Sequence, residues 1–209
     1  MNTTTRKPKK PKVIAPPPPG IPTMPVRRFT VDEYHRMIEI GVLSSGEPYE
    51  LIHGWIVQKT VLNPPHNYAV NTLMELLRPF CGSGATLRIQ QPITTDDSEP
   101  EPDVVLAAGS EEDYSRRHPT PDEVHVLVEV AESTSKKDQT IKLELYAQAK
   151  VQVHWIVNLI DRRVEVYTEP RGGKTPGYKQ RQDYGPDDEL PLFIGRKEVG
   201  RISVKELLR

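Results

Sequence analysis

Two carboxylates stand where a chain seldom leaves a charge. Asp103 opens the apolar run Val104, Val105, Leu106, and Glu129 sits inside a second apolar run over residues 124–130. Such runs mark buried strands, where an unpaired charge is expensive, so the two carboxylates are expected to share a partner. If the runs are adjacent antiparallel strands joined by residues 110–121, the start of one faces the end of the other. Asp103 and Glu129 would then lie at the same sheet edge. Alternation groups Asp103, Val105 and Ala107 on one face and Leu127, Glu129 and Ala131 on one face. Whether those faces coincide depends on register, which the sequence leaves open. Two hard oxygen ligands converging with a backbone carbonyl suit Mg2+ or Mn2+.

The elements that would position this pair follow directly. Residues 132–135, Glu-Ser-Thr-Ser, offer hydroxyl caps ahead of a helical pattern over about 136–149. Ile141, Leu145 and Ala149 recur every fourth residue and would face the sheet, with Lys142 beside that stripe near the strand end. The apolar run 151–159 completes a strand, helix, strand crossover with parallel strands. The expected layout is a carboxylate pair plus a lysine on a mixed sheet. An ordinary buried ion-pair cluster, or an Asp138–Lys142 helix pair, would use the same residues.

An ordered set of short motifs accompanies this layout: Tyr49-Glu50-Leu51-Ile52-His53-Gly54, Pro64-Pro65-His66, Gln91-Pro92, Pro102-Asp103, Val128-Glu129-Val130, Asp138…Lys142…Tyr146-Ala147 and His154-Trp155-Ile156-Val157. Over about residues 29–168 it resembles the Uma-two family, restriction-endonuclease-like proteins within the PD-(D/E)XK nuclease superfamily. The resemblance implies an α/β (α+β) domain, a restriction-endonuclease-like mixed β-sheet core flanked by helices, with a β-rich C-terminal extension. It implies a metal-dependent endonuclease in which Asp103, Glu129 and the Val130 carbonyl hold Mg2+ or Mn2+, with Glu50 as the first acidic position. DNA is the implied substrate, cut to 5′-phosphate and 3′-hydroxyl ends. One departure stands out. The superfamily's simplest pattern has lysine two residues after the second acid, where this chain has Ala131. The resemblance is therefore to members whose lysine has moved to the following helix, which points to Lys142. The alternative is a catalytically inactive nuclease-like module that binds nucleic acid or a protein partner.

Composition frames these expectations. The 209 residues are 27% charged and 36% hydrophobic, with a net charge of −1. That suits one soluble domain, and any nucleic-acid binding must use a local patch. No apolar run approaches a membrane span and no signal pattern opens the chain, so a cytoplasmic protein is expected. The single cysteine, Cys81, excludes an internal disulfide. Residues 1–26 hold five basic side chains and a run of four prolines, the composition of a disordered arm, with one domain over 27–209.

Along that domain, Thr30 and Glu33 form a capping box for a helix ending at Gly41, and residues 49–60 read as a hairpin about Gly54. Asn63 caps a longer helix with Pro64 in its first turn. His66 near its start, Gln91 at the end of a strand over 86–93, and Arg116 and Arg117 in a loop are the candidate nucleic-acid contacts. Each has a plainer reading as a cap, a solvent-facing strand residue or a solvated loop. Strands over 164–167, 178–184 and 190–194 and a terminal helix over 203–208 close the domain. The resemblance to that superfamily, whose members are often dimers because cutting both strands needs two sites, implies a homodimer, though no interface is legible in the sequence.

Overall fold

The computed structural model describes residues 26–44, 46–59, 63–82, 84–132 and 136–208, with the backbone alone for 136–138. The arm expected over 1–26 lies outside these residues except for Val26, as do the hydroxyls of 133–135.

The first elements follow their local signals. Helix α1, Val31–Glu39, is capped by Thr30, whose hydroxyl accepts from the Glu33 amide while the Glu33 carboxylate accepts from the Thr30 amide. Strands β1, Tyr49–Ile52, and β2, Trp55–Gln58, pair antiparallel about a turn at His53 and Gly54. Gly54 has φ +77°, and a Cβ there would stand 2.8 Å from the Phe29 carbonyl oxygen. Only glycine fits, and its own backbone bonds Phe29 and Asp97, fixing how the hairpin sits. Helix α2, Pro64–Leu77, starts with two prolines and the Asn63 cap.

The core of the molecule is one six-stranded sheet. Strands β3, Ala85–Ile89, β4, Val104–Ala108, and β5, Val124–Ala131, pair with one another antiparallel in that order. Helix α3, Lys136–Gln148, then carries the chain over to β6, Val153–Asn158, which is parallel to β5. Strands β7, Arg163–Arg171, and β8, Gly177–Tyr184, extend the sheet by antiparallel pairing, giving the order β3-β4-β5-β6-β7-β8. A separate hairpin, β9 Glu189–Ile194 and β10 Lys197–Ser203, is followed by the short helix α4, Val204–Leu207.

Two faces of this sheet are covered differently. Val104, Val128, Trp155 and Val157 face α2, α4 and the β9–β10 hairpin, meeting Leu73, Leu77, Leu192 and Leu207. Val105, Ala107 and Leu127 face α3 and the β1–β2 hairpin, meeting Leu145, Tyr146 and Ile52. With both faces covered, β4 and β5 need apolar side chains throughout, which is why they read as continuous runs. Asp103 and Glu129 break those runs on the α3 side.

Three boundaries differ from the sequence reading. The strand expected over 86–93 ends at Ile89, because Gln90 turns out of line at φ +48° and its N–H bonds the Asp103 carbonyl at 3.0 Å. Strand β10 was not anticipated: its Lys197 to Ser203 alternate too weakly to signal, and pairing with β9 forms it. The strand expected over 164–167 runs on to Arg171, sustained by its ladder with β8.

Candidate active site

Register brings the two carboxylates together. Val104 pairs with Val128 and Val105 with Leu127, so one step further Asp103 stands opposite Glu129 and points to the same face. The loop between β3 and β4 delivers Asp103, and its buried carboxylate is anchored at one oxygen. Oδ2 accepts from the Val130 amide at 2.8 Å and from His66 Nε2 at 3.1 Å. His66 is buried in the first turn of α2, its own amide held by the Asn63 side chain at 3.3 Å. Burial works against a charge on its ring, but the bond to Asp103 and the charges of Asp103, Glu132 and Glu129 prevail and raise its pKa above the ordinary histidine value.

Glu129 receives its partners from α3. Lys142 and Tyr146 are four residues apart and so share one helix face. The Lys142 ammonium lies 3.1 Å from Glu129 Oε1, and the Tyr146 hydroxyl donates to the same oxygen at 2.6 Å. Glu50 approaches from β1 on the far side, with Oε2 3.6 Å from the Lys142 ammonium and accepting from the Glu101 amide at 3.0 Å. Lys59 pairs with Glu101 at 2.5 Å and pins that segment. Three largely buried carboxylates from three separate pieces of chain thus gather around one ammonium.

The charges are not in balance. Burial pushes the Glu129 carboxyl up to about 7; Lys142 opposes this, while Asp103 and Glu50 add to it. Burial works against the Lys142 charge, yet Glu129, Glu50 and Asp103 hold its pKa above the usual lysine value. An excess of hard anionic oxygen in a half-dry site is the donor chemistry a divalent cation requires. Among the described residues, no three His, Cys, Asp or Glu side chains are already drawn together at a spacing that would hold a metal. An ion here would therefore rest on two carboxylates, supplemented by backbone oxygen and water.

Of the remaining candidates, Val130 belongs to the site and the others sit apart. Val130 supplies its N–H to Asp103. Gln91 is exposed just past the turn at Gln90. Arg116 and Arg117 ride on the loop that leaves β4 at Ala108, the end away from Asp103. Arg117 is held in a fork on Glu123, at 2.6 Å for each nitrogen, with its guanidinium over the Tyr114 ring. No contact joins either arginine to the carboxylates.

Two residues in the site had no role assigned from sequence. Tyr146 stood in the motif set, but its hydroxyl finds Glu129 only once α3 docks. His154, in β6, is buried among Tyr146, Tyr167 and Tyr178, with its ring edge-on to Tyr146 at 5.1 Å. Neither ring nitrogen has a partner, and burial together with the Lys142 charge pushes its pKa down to about 3, so it is a neutral packing piece behind Tyr146. A histidine in the middle of an apolar strand was the available signal.

Comparison with known proteins gives the family and the fold. The profile of the Uma2 family, described as "Putative restriction endonuclease", matches residues 31–195. A crystal structure from Anabaena variabilis, described as a "putative nuclease belonging to DUF820", superposes with a TM-score of 0.64. It is 18% identical, over 86% of this chain and 97% of that one, and shares the fold. No curated protein matches the chain.

Proposed function

Because the chain belongs to the Uma2 family, described as "Putative restriction endonuclease", we propose that it is a metal-dependent endonuclease hydrolysing phosphodiester bonds in DNA. The observation that carries this reading is the gathering of Asp103, Glu129 and Glu50 at a single sheet edge, where among the described side chains the Lys142 ammonium and the His66 ring answer three carboxylates. Asp103, Glu129 and the Val130 carbonyl would hold Mg2+ or Mn2+, with Glu50 beside them. The ion supplies Lewis-acid polarisation of a phosphoryl oxygen and lowers the pKa of water. Lys142 sits next to Glu129, where its ammonium orients the attacking water and offsets negative charge gathering on the phosphoryl oxygens. Tyr146 fixes one oxygen of Glu129, and His66 with the Val130 amide fixes one oxygen of Asp103. With one site per chain, cutting both strands would take two copies.

A second reading follows from the same ammonium. Lys142 bridges Glu129 and Glu50 as it would in a structural ion-pair cluster, which fits a nuclease-like module that binds without cutting. No helix among the described residues is long and apolar enough to cross a membrane.

The deciding experiment incubates supercoiled and single-stranded DNA with Mg2+ or Mn2+ and the wild type, Asp103→Asn or Lys142→Ala, beside a calorimetric Mn2+ titration. Cleavage by the wild type alone supports the nuclease and both assignments. Neither cleavage nor Mn2+ binding would transfer the site to the non-catalytic reading.

A further inference from the structure

Beside the carboxylates, on the flank away from α3, a shallow cleft lies between the first turns of α2 and the turn joining β6 to β7. Pro64, Pro65, Leu159 and Leu208 line it, with Tyr68 and Arg162. Tyr68 is 53% exposed, and Ile160, on the same β6–β7 turn, is 56% exposed. Together with the cleft lining they leave apolar surface open beside Arg162.

This cleft is tied to the catalytic edge at two points. His66, which bonds Asp103, and Tyr68 both belong to the opening turns of α2, and two residues of helix turn their side chains about 200° apart. The Leu159 amide donates to the Ala131 carbonyl at 2.9 Å, and Ala131 is two strand residues, about 7 Å, beyond Glu129. A strand of nucleic acid at the carboxylates would reach the Tyr68 ring by passing round the start of α2.

The charges agree with that path. Arg162 is exposed and, among the described residues, has no carboxylate partner, whereas its neighbour Arg163 is paired with Asp161, Glu165 and Asp183. A carboxylate-rich site repels a phosphate backbone, and an unpaired guanidinium on its flank supplies the missing attraction. An exposed ring with a free guanidinium beside it is how sequence-tolerant single-strand binders hold a base and its phosphate.

We propose that Tyr68 and Arg162 form a subsite that stacks an unpaired base and holds its phosphate, making single-stranded or frayed nucleic acid the preferred substrate. The proposal rests on the nuclease reading and adds the form of the substrate to it.

The test is fluorescence anisotropy of the full chain with a labelled oligothymidylate and with a duplex of equal length, in EDTA so that nothing is cut. The expected result is tighter binding of the single strand, weakened about tenfold or more by Tyr68→Ala and restored by Tyr68→Phe. Arg162→Ala should also weaken binding and flatten the salt dependence by about one unit of slope. Binding that ignores Tyr68→Ala, or a Tyr68→Phe variant as weak as the alanine, overturns this inference and leaves the nuclease reading standing. Failure to bind either nucleic acid overturns the inference and turns the cleft over to a protein partner, while the nuclease reading, whose ion EDTA removes, is judged by the cleavage assay.

Discussion

Glu129 and Glu165 occupy the same row of the same face of the same sheet, since β5 pairs Glu129 with Ile156 and β6 pairs Ile156 with Glu165. Their surroundings are opposite. Glu165 accepts from Arg163, Tyr167 and Asn158 and lies 3.2 Å from Arg181, which also forks onto Asp183. Two guanidiniums answer Glu165 and Asp183, with Asp161 at the outer edge. Glu129 shares a single ammonium with Glu50 and has Asp103 directly opposite. One glutamate is neutralised by its own fold; the other sits in an excess of negative charge that the fold leaves open. That difference separates an ion cluster closed by its own partners from one with carboxylate oxygen to spare.

The comparison breaks most visibly in activity. Asp103→Asn and Glu129→Gln should each lower cleavage about 100-fold or more, since metal-assisted charge stabilisation is worth several kcal/mol. Glu165→Gln should leave it within a few-fold. A gel assay of plasmid nicking reads all three, and equal losses would erase the distinction.

Stability carries the next effect. Lys142→Ala removes the ammonium that Glu129 and Glu50 share and should cost the metal-free protein about 3–5 kcal/mol in urea denaturation at pH 8. Added Mn2+ should recover part of that loss. Arg163→Ala should cost only about 1 kcal/mol, because Arg181 remains and both arginines are partly solvated.

The pH response sharpens the contrast further. The Glu129 carboxyl rises from 4.5 to about 7 on folding. A raised carboxyl stabilises the fold below its unfolded value and loses that contribution as pH climbs through the folded value. The metal-free protein should therefore lose on the order of 3 kcal/mol between pH 4.5 and pH 7. His66, also raised, acts in the same direction. Chemical denaturation at stepped pH should show a flatter slope for Glu129→Gln, while Glu165→Gln should lower stability by about 1–2 kcal/mol. The smallest effect belongs to Tyr146→Phe, which deletes one hydrogen bond to Glu129 and should cost about 1 kcal/mol. A drop in thermal midpoint without loss of fold, seen by circular dichroism, would register it.

Legibility in the sequence followed the range of each interaction. Thr30 with Glu33, Asn63 with Pro64, and the turn at Gly54 are satisfied within a few residues, and the structure forms each where the sequence places it. The apolar runs around Asp103 and Glu129 announced strands covered on both sides, and the mixed sheet with its α3 crossover came out as read. The ordered motifs named the family. What stayed hidden was relational. Strand β10 exists only by pairing with β9, and the Gln90 turn that shortens β3 depends on the Asp103 carbonyl. His66 shows the limit within one residue: its cap position was legible, but its burial against Asp103 was not.

By itself, then, the sequence determined which groups are available: buried-strand carboxylates at 103 and 129, a lysine one helix away, and local caps that set each element's start. Tertiary structure decided which of them meet. Register placed Asp103 opposite Glu129, hairpin docking brought Glu50 within reach of Lys142, and α3 turned Tyr146 onto the same oxygen as the lysine. The reason is physical: caps and periodicity are enforced by neighbours along the chain, whereas register and docking are settled by burial summed over the whole sheet, which no local stretch encodes.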